Sequence, residues 1–172
     1  MRAIIAPLVA LVAGAVSLVA FPAFAETTAT ATFHNAEGTN IGTADLTETG
    51  GGVVIKAAVT GLPSDQWVAF HIHENGKCDT ASNFKTAGGH FNPTHKSHGF
   101  LVKDGSHAGD MPNQYVNDQG KMFSQVINTN VTLDDKENGV RGKAIVIHAG
   151  ADDYMTQPSG AAGERLACAT IK

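Results

Sequence analysis

The sequence predicts an all-β protein, an antiparallel sandwich or barrel that carries two long functional loops. Three observations predict it. Short runs of alternating or β-branched residues recur about every ten positions, separated by Gly-rich turns. No window sustains a helical period of apolar residues. The 19 glycines suit tight turns, where positive φ is required, better than helix interiors.

Taken in order, the chain opens with Arg2, an apolar run from Ile4 to about Val19, and Pro22-Ala23-Phe24-Ala25. A charged end, an apolar stretch and a small-x-small site together predict a secretory signal peptide over residues 1–25. An uncleaved anchor is the competing reading, since the run approaches spanning length. It is set aside because no basic stop follows Ala-Phe-Ala. The expected domain is therefore residues 26–172, exported to the periplasm and without stable membrane association after cleavage.

Within that domain, Thr28, Thr30 and Thr32 alternate with Ala29, Ala31 and Phe33, which gives a first strand before the turn at Asn35-Ala36-Glu37-Gly38. Ile41 to Thr47 forms a second, and Gly50-Gly51-Gly52 turns the chain into a third from Val53 to Thr60. Gly61-Leu62-Pro63 breaks it again, and Trp67 to Glu74 makes a fourth. Asn75 to about Gly120 then shows few strand signals. A loop that long belongs in a compact domain only if it is functional and tethered. Strands resume at Lys121 to Val131 and Val140 to His148. A second loop, Ala149 to Glu164, precedes a last strand from Arg165 to Ile171.

The composition narrows the partners. With 12 basic and 16 acidic side chains the chain is net acidic, which argues against nucleic acid. Its two cysteines, Cys78 and Cys168, read as one disulfide in an exported chain. The alternative, two ligands of a zinc site, is weaker because neither has a second cysteine two to four residues away.

The long loop supplies the chemistry. From His90 to Asp110 it is too polar to order itself by burying apolar surface. His90, His98, His107 and Asp110 offer three imidazoles and a carboxylate, a donor set that satisfies tetrahedral zinc. His71 and His73 sit two apart on a strand, so both rings point to one face and form a rigid edge for a metal. His148 ends the apolar run Ala144-Ile145-Val146-Ile147, and its strand can lie beside theirs.

The segments F-H-I-H-E, G-G-H-F-N-P, H-G, H-A-G-D, I-V-I-H-A-G-A-D-D and R-L-A-C occur in that order over most of the expected domain. Together they resemble the copper/zinc superoxide dismutases. The resemblance implies an eight-stranded Greek-key β-barrel with one copper and one zinc ion per subunit. It implies an oxidoreductase that converts superoxide anion to dioxygen and hydrogen peroxide as an antioxidant defence outside the cytoplasm.

Carried over residue by residue, it implies copper at His71, His73, His90 and His148, and zinc at His90, His98, His107 and Asp110. His90 would bridge the two as an imidazolate. Asp152 would accept N–H bonds from His71 and His98, with Asp153 the alternative, and Arg165 would hold the anion beside copper.

The chain departs from the family pattern in places. Ala149 to Glu164 is shorter than in eukaryotic members and has no lysine, so the exported bacterial members are the closer analogy. The candidates for anion steering are instead Lys77, Lys85 and Lys96, each of which also reads as a solvated surface lysine. His34 and His95 lie outside the ligand pattern. Met111, Tyr115, Met122 and Phe123 are read either as an apolar patch for a homodimer or as core residues around a loop.

Overall fold

A computed structural model describes residues 27–134 and 136–172. The expected signal peptide lies outside the described residues. Among the described residues nine strands are formed: β1 (Thr28–Asn35), β2 (Asn40–Thr49), β3 (Gly52–Val59), β4 (Gln66–Val68), β5 (Phe70–His73), β6 (Gln114–Val116), β7 (Met122–Asn128), β8 (Ala144–His148) and β9 (Arg165–Ile171). Seven of them make one antiparallel sheet in the order β5-β8-β9-β1-β2-β3-β7, and β4 pairs with β6. The all-β antiparallel expectation therefore holds.

The strand count of nine differs from the eight that the resemblance implies, because the run from Trp67 to Glu74 is interrupted. Ala69 leaves its ladder: its N–H donates to Gly150 O, and its carbonyl accepts from His148 N–H. That break separates β4 from β5. It also ties β5 to the end of β8 and the start of the second loop. The three-residue strand β6 falls in a stretch expected to be loop.

The alternation read in the sequence sets the core. Ala29, Ala31 and Phe33 of β1 point inward, as do Val53, Ile55, Ala57 and Val59 of β3, while the intervening residues face out. Phe33 meets Phe70 across the interior, with ring centroids 6.5 Å apart. Strand β8 is buried at all five positions. Ile145 and Ile147 enter the main core, whereas Ala144 and Val146 pack with Phe84, Ala87 and Cys168 in a second cluster. The loop after β5 thus covers the outer face of β8 and β9. This explains why Ala144 to Ile147 reads as unbroken apolar sequence rather than as alternation.

Cys78 and Cys168 form a disulfide across 90 residues, so the zinc-ligand alternative for the cysteines is excluded. The four residues of the supposed apolar patch divide. Met111 and Met122 are core residues, while Tyr115 and Phe123 are exposed, the former with Trp67 edge-on at 5.4 Å. Met122 and Phe123 are consecutive on β7 and must face opposite ways.

Candidate metal centre

Strand parity and register place the first three histidines. His71 pairs with Val146 and His73 with Ala144 in the β5–β8 ladder, so both rings share the outer face with Val146 and His148. Their alternate neighbours Phe70 and Ile72 enter the main core. At His148 the β8–β9 register shifts, which sets His148 opposite Arg165.

The long loop then runs back along β5. Phe91 N–H donates to Ile72 O, and Ile72 N–H donates to Gly109 O, while His73 faces His90 and His71 faces Asp110 in isolated bridges. The polar loop is therefore stitched to a buried strand by its backbone at both ends of the ligand set.

Two four-residue sets result, His71–His73–His90–His148 and His90–His98–His107–Asp110. All are buried, and the candidate ligand atoms of each set lie within 4.8 Å of one another. In the second set three rings converge on one oxygen. Asp110 Oδ1 lies 2.9 Å from His90 Nδ1, 3.0 Å from His98 Nδ1 and 3.5 Å from His107 Nδ1. Ligands about 2.0–2.1 Å from a tetrahedral ion sit about 3.3 Å apart, so these spacings fit zinc.

In the first set, His73 Nε2 and His148 Nε2 face each other at 3.3 Å. The His71 and His90 rings are 4.0 Å apart between centroids. Among the described residues, His71 Nδ1 and His90 Nε2 are buried without a hydrogen-bond partner. An unsatisfied buried polar atom costs about 1–3 kcal/mol, and nitrogen lone pairs converging on one point are what a Cu(II) site requires. His90 thus offers Nδ1 to one set and Nε2 to the other.

Electrostatics favour the metal-ligating form at three of the rings. Burial, reinforced by the neighbouring rings, pushes His73 well below its ordinary pKa, and burial lowers His148 to about 3. Burial also lowers His90 to about 4, although Asp110 opposes it. These rings are neutral at neutral pH, the form that ligates a metal. His98 goes the other way. Burial opposes its charge, but hydrogen bonds to Asp110 and Asp152 prevail and raise it to about 9. Burial likewise disfavours the two carboxylates, yet bonds from the imidazoles hold both well below the usual range.

Asp152 lies between the sets. His71 Nε2 donates to its Oδ2 at 2.8 Å, and His98 Nε2 donates to its Oδ1 at 3.0 Å. This fixes the tautomer of each ring and leaves each Nδ1 for a metal. Asp153 instead is exposed and bonds Thr156 and Met155 in its own turn. The fit at Asp152 leaves no room beside it. A Cβ on Gly160 would come within 1.8 Å of Asp152 Oδ1 and 2.8 Å of His98 Nε2, at a φ of +72°. Gly160→Ala is accordingly expected to part this pair and to lower divalent-metal affinity about 10–100-fold, the usual cost of losing a ligand's outer partner. Competition with a chelator measures it, and unchanged affinity would show that the pair does not govern binding.

Arg165, beside His148, donates from Nη1 to Phe84 O and from Nη2 to Gly88 O, both at 2.6 Å. Gly88 O also accepts from His73 Nδ1 at 3.0 Å. A cavity of about 310 Å³ is lined by His73, His90, His148, Ser159 and Arg165. Lys85 shares an adjoining cleft of about 420 Å³ with Arg165. His95 is exposed, and His34 lies in a small cleft beside Cys78, so neither joins a ligand set.

Sequence reasoning missed the backbone carbonyls that hold Arg165, because any residue supplies a carbonyl. It also missed Asn113 and Gln157, which bond to the backbones of Asp152 and His98.

Comparison with known proteins gives a consistent result. The family model described as copper/zinc superoxide dismutase matches residues 40–171. The chain is 50% identical over 142 residues to superoxide dismutase [Cu-Zn] 2 of Aquifex aeolicus, covering 80% of this chain and 82% of that one. It is 39% identical over 152 residues to superoxide dismutase [Cu-Zn] of Caulobacter vibrioides, covering 84% and 85%. Among solved structures, a superoxide dismutase-like protein from Bacillus subtilis superposes with a TM-score of 0.78 at 34% identity, covering 81% of this chain and 95% of that one. The copper/zinc superoxide dismutase from Brucella abortus superposes with a TM-score of 0.70 at 26% identity, covering 85% and 100%.

Proposed function

The chain belongs to the copper/zinc superoxide dismutase family, and we propose how its residues carry out that family's reaction, the disproportionation of superoxide to dioxygen and hydrogen peroxide with one copper and one zinc ion. One observation carries the assignment of residues: two buried four-ligand sets meet at a single ring, His90. Copper belongs at His71, His73, His90 and His148, whose four nitrogens suit its preference for imidazole. Zinc belongs at His90, His98, His107 and Asp110, which match its tetrahedral nitrogen-and-oxygen chemistry.

When bound, copper supplies the one-electron oxidation and reduction of successive superoxide anions, and zinc supplies a fixed charge. The protein does the rest. Asp152 orients His71 and His98 together, so the two sets cannot move independently. His90 Nε2 is the atom that takes up a proton and delivers it to the reduced product, while Nδ1 keeps the ring anchored toward Asp110.

Arg165 holds the anion at the cavity. Burial lowers its pKa, but a guanidinium remains charged at any working pH. Its two bonds to loop carbonyls fix where that charge stands. Because the whole chain is acidic, attraction of superoxide is local, and Lys85 in the adjoining cleft extends it.

Arg165→Ala is expected to lower dismutase activity about 10–100-fold, within the range that focused charge contributes, while both metals stay bound. Metal analysis beside a superoxide assay checks it, and loss of metal instead would assign Arg165 a structural role.

A non-catalytic copper-binding role on the same fold is the second reading, because fold alone does not fix function, and a relative 37% identical is named superoxide dismutase-like. The same assay separates the two: copper bound with no activity supports the second. The disulfide suits an oxidising compartment, and with the expected signal peptide it supports a periplasmic location, which cell fractionation reads. Exposed Trp67, Tyr115, Phe123 and Ile127 support a homodimer, and a monomeric mass in solution would exclude it.

A further inference from the structure

The Asp152–His98 bond joins two loops, and each of its partners is held by an amide side chain from the other partner's loop. Asn113 follows Asp110 on the long loop. Its Nδ2 donates to Asp152 O at 2.8 Å, and Asp152 N–H donates to Asn113 Oδ1 at 2.8 Å. Gln157 follows Asp152 on the second loop. Its Nε2 donates to His98 O at 2.8 Å, and His98 N–H donates to Gln157 Oε1 at 2.9 Å. Each amide thus exchanges two bonds with one backbone residue, as a facing residue in an antiparallel ladder does.

We propose that Asn113 and Gln157 form a reciprocal clasp of positioning residues that fixes the distance between Asp152 and His98, and through it retains zinc and the wall of the copper cavity. The inference rests on the proposed function for the identity of the metal.

Both residues are held further. The second Nε2 hydrogen of Gln157 goes to Met155 O at 3.0 Å, and the backbone N–H of Asn113 donates to Tyr154 OH at 2.7 Å. The backbones are also in contact, since a Cβ on Gly99 would lie 2.0 Å from Tyr154 O, and Leu101 N–H donates to that same carbonyl. Directly after Gln157, Pro158 and Ser159 line the cavity with His73, His90 and His148. Order at the zinc ligand and order at the cavity wall therefore share one joint.

Gln157 is itself exposed, where a hydrogen bond adds little to global stability. Its loss should show in metal retention before it shows in melting.

The test uses the full chain loaded with copper and zinc, with zinc release read by a colorimetric zinc chelator and melting recorded separately. Asn113→Ala and Gln157→Ala are expected to release zinc about 10–100-fold faster. Their combination is expected to fall short of the product of the two, because both act on one bond. Gln157→Glu, which cannot donate to His98 O, is expected to release zinc as fast as Gln157→Ala. Leu46→Ala, buried in the main core, is expected to lower the melting temperature with zinc release unchanged.

Release within twofold of the parent in both alanine variants, parental release in Gln157→Glu, or equal acceleration in Leu46→Ala would each overturn the clasp while leaving the proposed function standing. A parent chain that takes up no zinc would overturn both.

Discussion

His148→Ala is expected to take up zinc as the parent does, to bind copper poorly, and to lose dismutase activity by more than about a hundredfold. Losing even the outer partner of a ligand costs 10–100-fold, and here a ligand itself is removed. The selectivity follows from the arrangement. His148 belongs to one set only, and the other set is completed by His90, His98, His107 and Asp110 without it. The remaining copper-site rings stay in place, because His71 is held by Asp152 and His73 by the Gly88 carbonyl. The variant should therefore fold with an open copper position rather than collapse. Metal content by atomic emission, with a superoxide assay on the same sample, reads both halves. Full activity in this variant would sink the assignment of His148 to copper. Loss of zinc along with copper would mean that the two sets are not separable through His148.

What the sequence made legible follows the same division between side-chain identity and geometry. The seven ligand positions stand out because metals demand imidazole and carboxylate, and few other roles gather those groups in a loop with little apolar content and on the strands beside it. Strands β1 and β3 stand out because one face of each is buried and the other is not, so composition alternates. Three features were hidden for physical reasons. The break at Ala69 and the short strand β6 depend on backbone partners far along the chain, which no local window contains. The clasp uses Asn113 and Gln157, residue types common in any loop. The carbonyls at Phe84 and Gly88 that fix Arg165 have no sequence signature at all. The division of Met122 from Phe123, by contrast, was readable, since strand parity forbids consecutive residues from sharing a face.

Replacing both Cys78 and Cys168 by alanine is expected to cost about 4–5 kcal/mol of stability, from the loop-closure entropy of a crosslink spanning about ninety residues. Against a total of about 5–15 kcal/mol for a folded domain, that is a large share, and it corresponds to a fall of roughly 10–20 °C in melting temperature. The effect should not stop at stability. Cys168 is buried with Phe84 and Ala87 on the outer face of β8 and β9, and Cys78 anchors the start of the same loop. Phe84 and Gly88 in that loop supply both carbonyls that hold the Arg165 guanidinium. Releasing the anchor loosens those acceptors, whereas the zinc set is held independently by the bonds of Phe91 and Gly109 to Ile72. The double variant, assayed below its lowered melting temperature, is therefore expected to keep zinc and to show reduced activity, with Arg165→Ala adding little further loss. A melting temperature within about 3 °C of the parent would show that the crosslink is not what restrains the unfolded chain. A full, undiminished effect of Arg165→Ala in the double variant would show that Arg165 is placed without help from the loop. The disulfide thus links stability to catalysis because the segment it tethers also holds the charge that meets the substrate.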